Sequence, residues 1–274
     1  MVVNFVSISA VSNKEQLRAV ASICQEENFP FPVAIGYQVS NKSVNNHTQN
    51  PRQPSFLQLG ELCKETRDLG LIPAVHYYTK DNNTIPSDLE IIAETGINPK
   101  DTLLQFNTLP PTIETLRIIK EMGYKIIFKV AVSDKQSEQG GYAVWKGESV
   151  QDVKAGEVSP LIAQVQERKS LIDYVMFDPS HGTNLDLDLE ENSLAVRFGK
   201  AITSQADLAH LGLVYAGGIK PNNVERIARS LNLFFPSRVS IDIESGVRTP
   251  DNHLDMRLVK EYLVNYHKTL QKHS

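Results

Sequence analysis

Two glycine-bearing turns near the C-terminal end of the sequence hold residues suited to gripping an anion. "LVYAGGIKPNNVERIARSL" (Leu213 to Leu231) runs from an apolar strand into Ala216, Gly217 and Gly218, then into a helical pattern with Val224, Ile227, Ala228 and Leu231 on one face. "VSIDIESGVRTPDNHLD" (Val239 to Asp255) repeats the plan, because Val239, Ile241 and Ile243 alternate with Ser240 and Asp242 before Glu244, Ser245 and Gly246. A turn without side chains lets an anion approach the backbone N–H groups, and Ser245 adds a hydroxyl donor. One Gly-Gly turn after a strand is an ordinary tight turn. Two in succession, each opening a helix, predict a phosphate cup made from Gly217, Gly218, Ser245 and Gly246. Pro221 stands where the first turn of a helix tolerates a missing N–H.

Groups able to move protons stand at other predicted strand ends. Asp178 closes the apolar run of "DYVMFDPSHGTN" (Asp173 to Asn184), where a structural Asp capping the next turn fits. In "KIIFKVA" (Lys125 to Ala131), Lys129 shares a strand face with Ile127 and Ala131, which points it into a barrel. An inward lysine needs an anionic partner, Asp178 or a substrate, or must give up its charge. A neutral Lys129 would form a Schiff base and make the protein an aldolase-like lyase. His181, on the rim beside Asp178, and His76, ending the third strand, are secondary candidates for proton transfer. Cys24 and Cys63 fall in helical patterns, Cys63 on an apolar stripe with Leu59, Leu62 and Leu69, and read as core residues. No carboxylate or histidine pair recurs at ligand spacing, so neither a metal nor any other cofactor is expected.

These residues need a scaffold that gathers strand ends at one mouth. Strands are predicted at Phe5 to Ser9, Pro32 to Gln38, Leu71 to Tyr77, Thr102 to Phe106, Lys125 to Ala131, Asp173 to Asp178, Leu211 to Ala216 and Val239 to Ile243. Helices are predicted at Asn13 to Glu27, Pro54 to Leu69, Ser87 to Thr95, Pro111 to Met122, Pro160 to Lys169, Ser193 to Ala209, Pro221 to Leu231 and Asp251 to His273. Strict alternation of eight units argues for an α/β fold, a single (β/α)8 TIM barrel over residues 1–274 with its phosphate site at strands seven and eight. The 274 residues, 41% of them hydrophobic, suffice for one such domain. Two connections, Val39 to Gln53 and Ser133 to Ser159, exceed ordinary loop length. The second contains the only tryptophan, Trp145, as a cover over the mouth or plain surface decoration, with Gly140 and Gly141 as hinges. A net charge of −4 with scattered lysines and arginines gives no footprint for nucleic acid. No apolar run is long enough for a membrane span and no leader pattern opens the sequence, so a cytoplasmic protein with a small-molecule partner is expected.

The order of these motifs resembles phosphoribosylanthranilate isomerase, the barrel enzyme of tryptophan biosynthesis. "AGGIKPNNV" is similar to that family's penultimate loop, Gly-Gly, variable, Pro-Glu-Asn-Val, and "IDIESGV" to its last strand, Asp-Val-Ser-Ser-Gly-Val. "DYVMFDPSHGTN" resembles the sixth strand and its loop, "LLQFN" stands where the family has Gln-Leu-His-Gly, and "FKVAVS" where it has Lys-Ala and a short apolar run. "NPRQPSF" is similar to the Ser-Pro-Arg-Tyr-Val segment after the second strand.

The resemblance implies an Amadori rearrangement of a sugar phosphate, in which a ribosylamine ring opens to an imine and loss of a proton from the neighbouring carbon leads to a 1-deoxyketose. Asp178 matches the general acid; burial beside an anionic substrate would help it hold a proton near neutral pH. Arg52 matches the arginine that binds the anthranilate carboxylate, since a planar fork suits two oxygens. The family's first strand reads Lys-Ile-Cys-Gly-Ile-Thr with cysteine as the base, whereas Ser7, Ile8, Ser9, Ala10, Val11 and Ser12 stand here. A serine hydroxyl is far weaker than a thiol as a base, so Ser9 needs help and Glu244 is a substitute. Asn107 replaces a histidine and Glu244 a serine. A carboxylate in a phosphate cup repels the ligand by about 4 kcal/mol at roughly 4 Å, so Glu244 must point away, pair with a cation or be protonated. The missing cysteine also keeps open a paralogue that binds a sugar phosphate without isomerising it.

Overall fold

The computed structural model describes residues 3–46, 50–107, 110–130, 132–133, 142–146, 149–153, 157–179 and 187–271. Eight parallel strands close into a barrel: β1 (Val6–Ser9), β2 (Val33–Ser40), β3 (Ile72–Tyr78), β4 (Leu103–Phe106), β5 (Lys125–Lys129), then β9 (Tyr174–Phe177), β10 (Gly212–Tyr215) and β11 (Val239–Ile243). Each pairs with its sequence neighbour among the barrel strands, and β1 closes on β11 with Ser7 opposite Asp242. This is a (β/α)8 barrel, as the alternation of elements predicts.

Side-chain alternation gives the barrel two apolar cores. Val6, Ile8, Ile35, Val75, Leu104, Ile126, Val175, Leu213 and Ile241 face outward against the helices. Phe5, Ala34, Ala74, Leu103, Ile127, Tyr174, Met176, Val214 and Ala216 form a separate cluster that fills the interior. Stepping along the inward face by two residues reaches Ser9, His76, Gln105, Lys129, Asp178, Asp242 and Glu244, so the interior turns polar at the C-terminal ends of the strands. The apolar floor therefore sets the depth of the mouth.

The surrounding helices are α1 (Lys14–Glu27), α3 (Leu59–Asp68), α4 (Ile85–Glu94), α5 (Ile113–Met122), α6 (Ser159–Gln166), α7 (Leu194–Ser204), α8 (Val224–Phe234) and α9 (Met256–Gln271). Asn13, Thr112 and Ser193 cap α1, α5 and α7 by accepting backbone N–H groups in their first turns. Among the described residues no helix is long and apolar enough to cross a membrane.

The two long connections differ from the sequence reading. The first is not a continuous loop, because β2 extends to Ser40 and leads into a short helix α2 (Asn41–Asn46). Asparagine-rich sequence is a poor helix former, but Asn41 and Asn45 donate to the carboxylate of buried Asp88, which also accepts from Tyr77. Tertiary hydrogen bonds thus hold a helix that local propensity disfavours. The second connection carries an antiparallel sheet of β6 (Val132–Ser133), β7 (Tyr142–Lys146) and β8 (Ser149–Val153). Gly140, Gly141 and the side chain of Trp145 lie outside the described residues.

Candidate active site

The turn after β10 is built for close approach. Gly217 and Gly218 have φ of 101° and 61°, left-handed values that glycine adopts without steric cost. The Asn223 side chain ties this turn, since its Nδ2 donates to Gly218 O at 2.9 Å and its Oδ1 accepts from Lys220 N at 2.7 Å. That bonding delays α8, which begins at Val224 and not at Pro221, because an Asn side chain here competes with the helix for backbone groups. After β11 a 3-10 turn, Ser245–Val247, follows Glu244 directly, and α9 starts only at Met256. A β-carbon on Gly246 would lie 2.0 Å from Ile219 O. The two turns are therefore in backbone contact and face one mouth.

A cavity of about 450 Å³ occupies that mouth. Gly217, Gly218 and Ser245 are part of its lining, as are His76, Asn107, Lys129, Asp178, Asp242 and Glu244. Gly246 borders a neighbouring 550 Å³ cavity with Lys220 and Arg248, and Arg52 and Ser245 line both.

Lys129 Nζ donates to Asp178 Oδ2 at 2.6 Å, and both side chains are 13% exposed. The inward lysine has found the carboxylate that its position on the strand calls for. Arg52 Nη1 donates to Glu244 Oε1 at 3.0 Å and Nη2 to Asn252 Oδ1, so Glu244 is paired with a cation. Arg52 thereby spans from the segment after α2 to the rim of the cup. Asn107 Oδ1 accepts from Gln105 Nε2 at 2.8 Å in the lining of the cavity. His181 lies outside the described residues.

Three residues are more prominent here than sequence reasoning made them. Asp242 accepts the Ser9 hydroxyl proton at 2.5 Å. Its inward place follows from strand alternation, but a partner 233 residues away does not. His76 is 2% exposed and sits against Ser9 across Gly36, where a β-carbon would stand 2.7 Å from Ser9 Oγ and 2.9 Å from His76 Nε2. Burial pushes the His76 pKa down; Asp242 and Glu244 oppose this and Lys129 adds to it. Arg248 is buried behind the cup and donates to Ala10 O and Asn252 O. Burial lowers its pKa to about 10, with Glu244 opposing and Arg52 reinforcing the shift.

Two outcomes follow from this local chemistry. Because folded His76 sits below its ordinary 6.5, the unfolded chain binds its proton more readily than the folded one. Its contribution is full above that value and is lost as pH falls through the folded pKa, at up to about 1.4 kcal/mol per pH unit. Denaturant titrations from pH 8 to pH 5 should show this loss, and His76→Asn should flatten it; an unchanged slope would contradict the assignment. Ala10, next to Ser9, has φ of 62°, a left-handed conformation that costs an alanine about 1–2 kcal/mol. After allowing for glycine's extra chain entropy, Ala10→Gly should stabilise the fold by about 0.5–1 kcal/mol, read as a higher denaturation midpoint. The isomerase pattern has glycine at this place, and the backbone shows why.

No protein-family model matches the sequence, and no curated protein does. Solved structures match over nearly the whole chain. Phosphoribosyl anthranilate isomerase from Thermus thermophilus is similar with TM-score 0.59 at 12% identity, covering 96% of this chain and 98% of that one. The fold is that of the phosphoribosylanthranilate isomerases. One such enzyme, in complex with reduced 1-(o-carboxyphenylamino)-1-deoxyribulose 5-phosphate, gives 0.59 at 16% identity, over 97% of this chain and all of that one. The Thermotoga maritima isomerase, in a monomeric form, gives 0.59 at 15%, with the same coverage. At identities this low the match shows a shared barrel fold alone and leaves activity to be argued from the site.

Proposed function

We propose that this chain is an aldose–ketose isomerase of the phosphoribosylanthranilate type, acting on a phosphorylated ribosylamine. The observation that carries this reading is the meeting of two features in one mouth: glycine turns touching at Gly246 and Ile219, and the Asp178–Lys129 pair across the same cavity. The backbone amides of the turns would hold the phosphate, helped by Ser245 and the cationic Arg52 and Arg248 nearby. Asp178, ion-paired with Lys129 in the free protein, would take up a proton as the anionic substrate binds beside it, and would then give that proton to the ring oxygen while the C1–O bond breaks and the nitrogen lone pair forms the protonated imine. Lys129 orients that carboxyl group and stabilises its charge once the proton has gone. The Schiff-base alternative asks Lys129 for a free amine, whereas its Nζ is engaged by Asp178. Because Arg52 is bound to Glu244 and Asn252, carboxylate binding would require it to exchange these partners.

A second reading, a paralogue that binds without isomerising, is favoured by one observation: the residue in the family's base position is a hydroxyl already donating to Asp242. Freshly made phosphoribosylanthranilate separates the two. The isomerase should quench its fluorescence catalytically, whereas the binding paralogue should give heat with sugar phosphate and gain turnover only as Ser9→Cys. Absence of both heat and turnover would defeat either reading.

A further inference from the structure

We infer that Asp242 is the base that removes the C2 proton of the sugar, with Ser9 as the residue that positions its carboxylate, an inference that rests on the isomerase reading above. Ser9 is 0% exposed and its Oγ–H is given to Asp242 Oδ1 at 2.5 Å. A hydroxyl spending its proton in this way fixes the carboxylate in orientation and is not itself the proton acceptor. Asp242 is 8% exposed yet lines the cavity, and among the described residues its Oδ2 accepts no hydrogen bond. The lone pairs on that oxygen are the ones proton abstraction uses.

The placement suits the step. Asp242 lies on β11 and Asp178 follows β9, with β10 between, so strand spacing sets their backbones on the order of 10 Å apart around the mouth. A ribose chain held by its phosphate at the tips of β10 and β11 would lie between them. Glu244, two residues along the same face, is committed to Arg52 and sits nearer the rim. Among the described residues the other charged or titratable groups at this end are His76 and Tyr78 from β3, Lys129 from β5, Asp178 after β9, Arg52 after α2, and Lys220 and Arg248 beside the two glycine turns; Tyr262 of α9 packs behind, its pKa raised mainly by burial and in part by Asp242. His76, beside Ser9 and with its pKa pushed down by burial, supplies no added cation there.

After Asp178 has protonated the ring oxygen and the imine has formed, Asp242 takes hydrogen from C2 as a proton. The C2–H electron pair becomes the C1=C2 bond and the C1=N pair moves to nitrogen, giving the enolamine. Reprotonation at C1 and loss of the O2 proton complete the ketose, so no external oxidant or reductant is needed.

Steady-state kinetics on the full chain tests this, with calorimetry of the unreactive reduced 1-(o-carboxyphenylamino)-1-deoxyribulose 5-phosphate as the measure of an intact site. Asp242→Asn should lower kcat about 1,000-fold while the analogue still binds, and Ser9→Ala should lower kcat about 10-fold with KM unchanged, restored by Ser9→Thr. If Asp242→Asn loses the fold, the split between kcat and KM in Ser9→Ala, with an enlarged C2-deuterium isotope effect, decides. Turnover of Asp242→Asn within a few-fold of the natural protein, or its loss in Glu244→Gln alone, would overturn the assignment and leave the isomerase reading standing. A natural protein that binds the analogue and never turns over substrate would remove both.

Discussion

Gly246→Ala is expected to remove sugar-phosphate binding while the barrel persists. The new methyl group would be placed 2.0 Å from Ile219 O and 3.1 Å from Lys220 Cα, backbone atoms that no rotamer change can clear. The turns after β10 and β11 must then part, and the amides proposed to hold a phosphate lose their common focus. We expect about 1–3 kcal/mol of lost stability, as for other overpacked sites, and a fall of at least about 100-fold in affinity for ribose 5-phosphate. Gly60→Ala gives the matched control, because its methyl group would meet Thr95 O at 1.8 Å between α3 and the end of α4, away from the mouth. It should cost comparable stability and leave affinity alone. Equal loss of affinity in both variants, or none in Gly246→Ala, would dissociate the contact between the turns from anion binding.

Asp178→Asn should lower kcat by about 1,000-fold, the usual contribution of a well-placed general acid. The amide keeps the shape of the side chain but has no acidic proton to give, and it deprives Lys129 of the carboxylate at 2.6 Å. Removing one partner of a largely buried pair costs up to about 3–5 kcal/mol, and opening onto the cavity should keep the loss near the lower end. Asp178→Asn combined with Lys129→Met should recover much of the stability and none of the turnover. Recovery of turnover in that double variant would mean that the single substitution had acted through the stranded ammonium and not through the acid.

The barrel was legible because each strand alternates between two apolar environments and each helix keeps an apolar face, patterns that local sequence carries directly. The two glycine turns were legible too, as glycine at 217, 218 and 246 is what left-handed backbone and close approach demand. What stayed hidden depends on distant partners. α2 exists because asparagines reach Asp88, more than forty residues onward, and Arg248 is drawn inward by the carbonyl of Ala10. The inserted sheet hid for another reason: "YAVWK" is a short apolar run with no alternation, and its glycine- and serine-rich surroundings read as a loop. For Asp242, the face was predictable and the hydrogen bond from Ser9 was not.

That hydrogen bond joins the first barrel strand to the last, 233 positions apart. A growing polypeptide emerges from the ribosome at about 5–20 residues per second, so β1 waits many seconds before β11 follows it. During that interval half of the cup is absent, Ser9 has no carboxylate to hold and the barrel has an open seam. On the proposed reading ligand recognition is an event of late synthesis, and truncated translation products that end before β11 should be blind to sugar phosphate however much of the barrel they have formed.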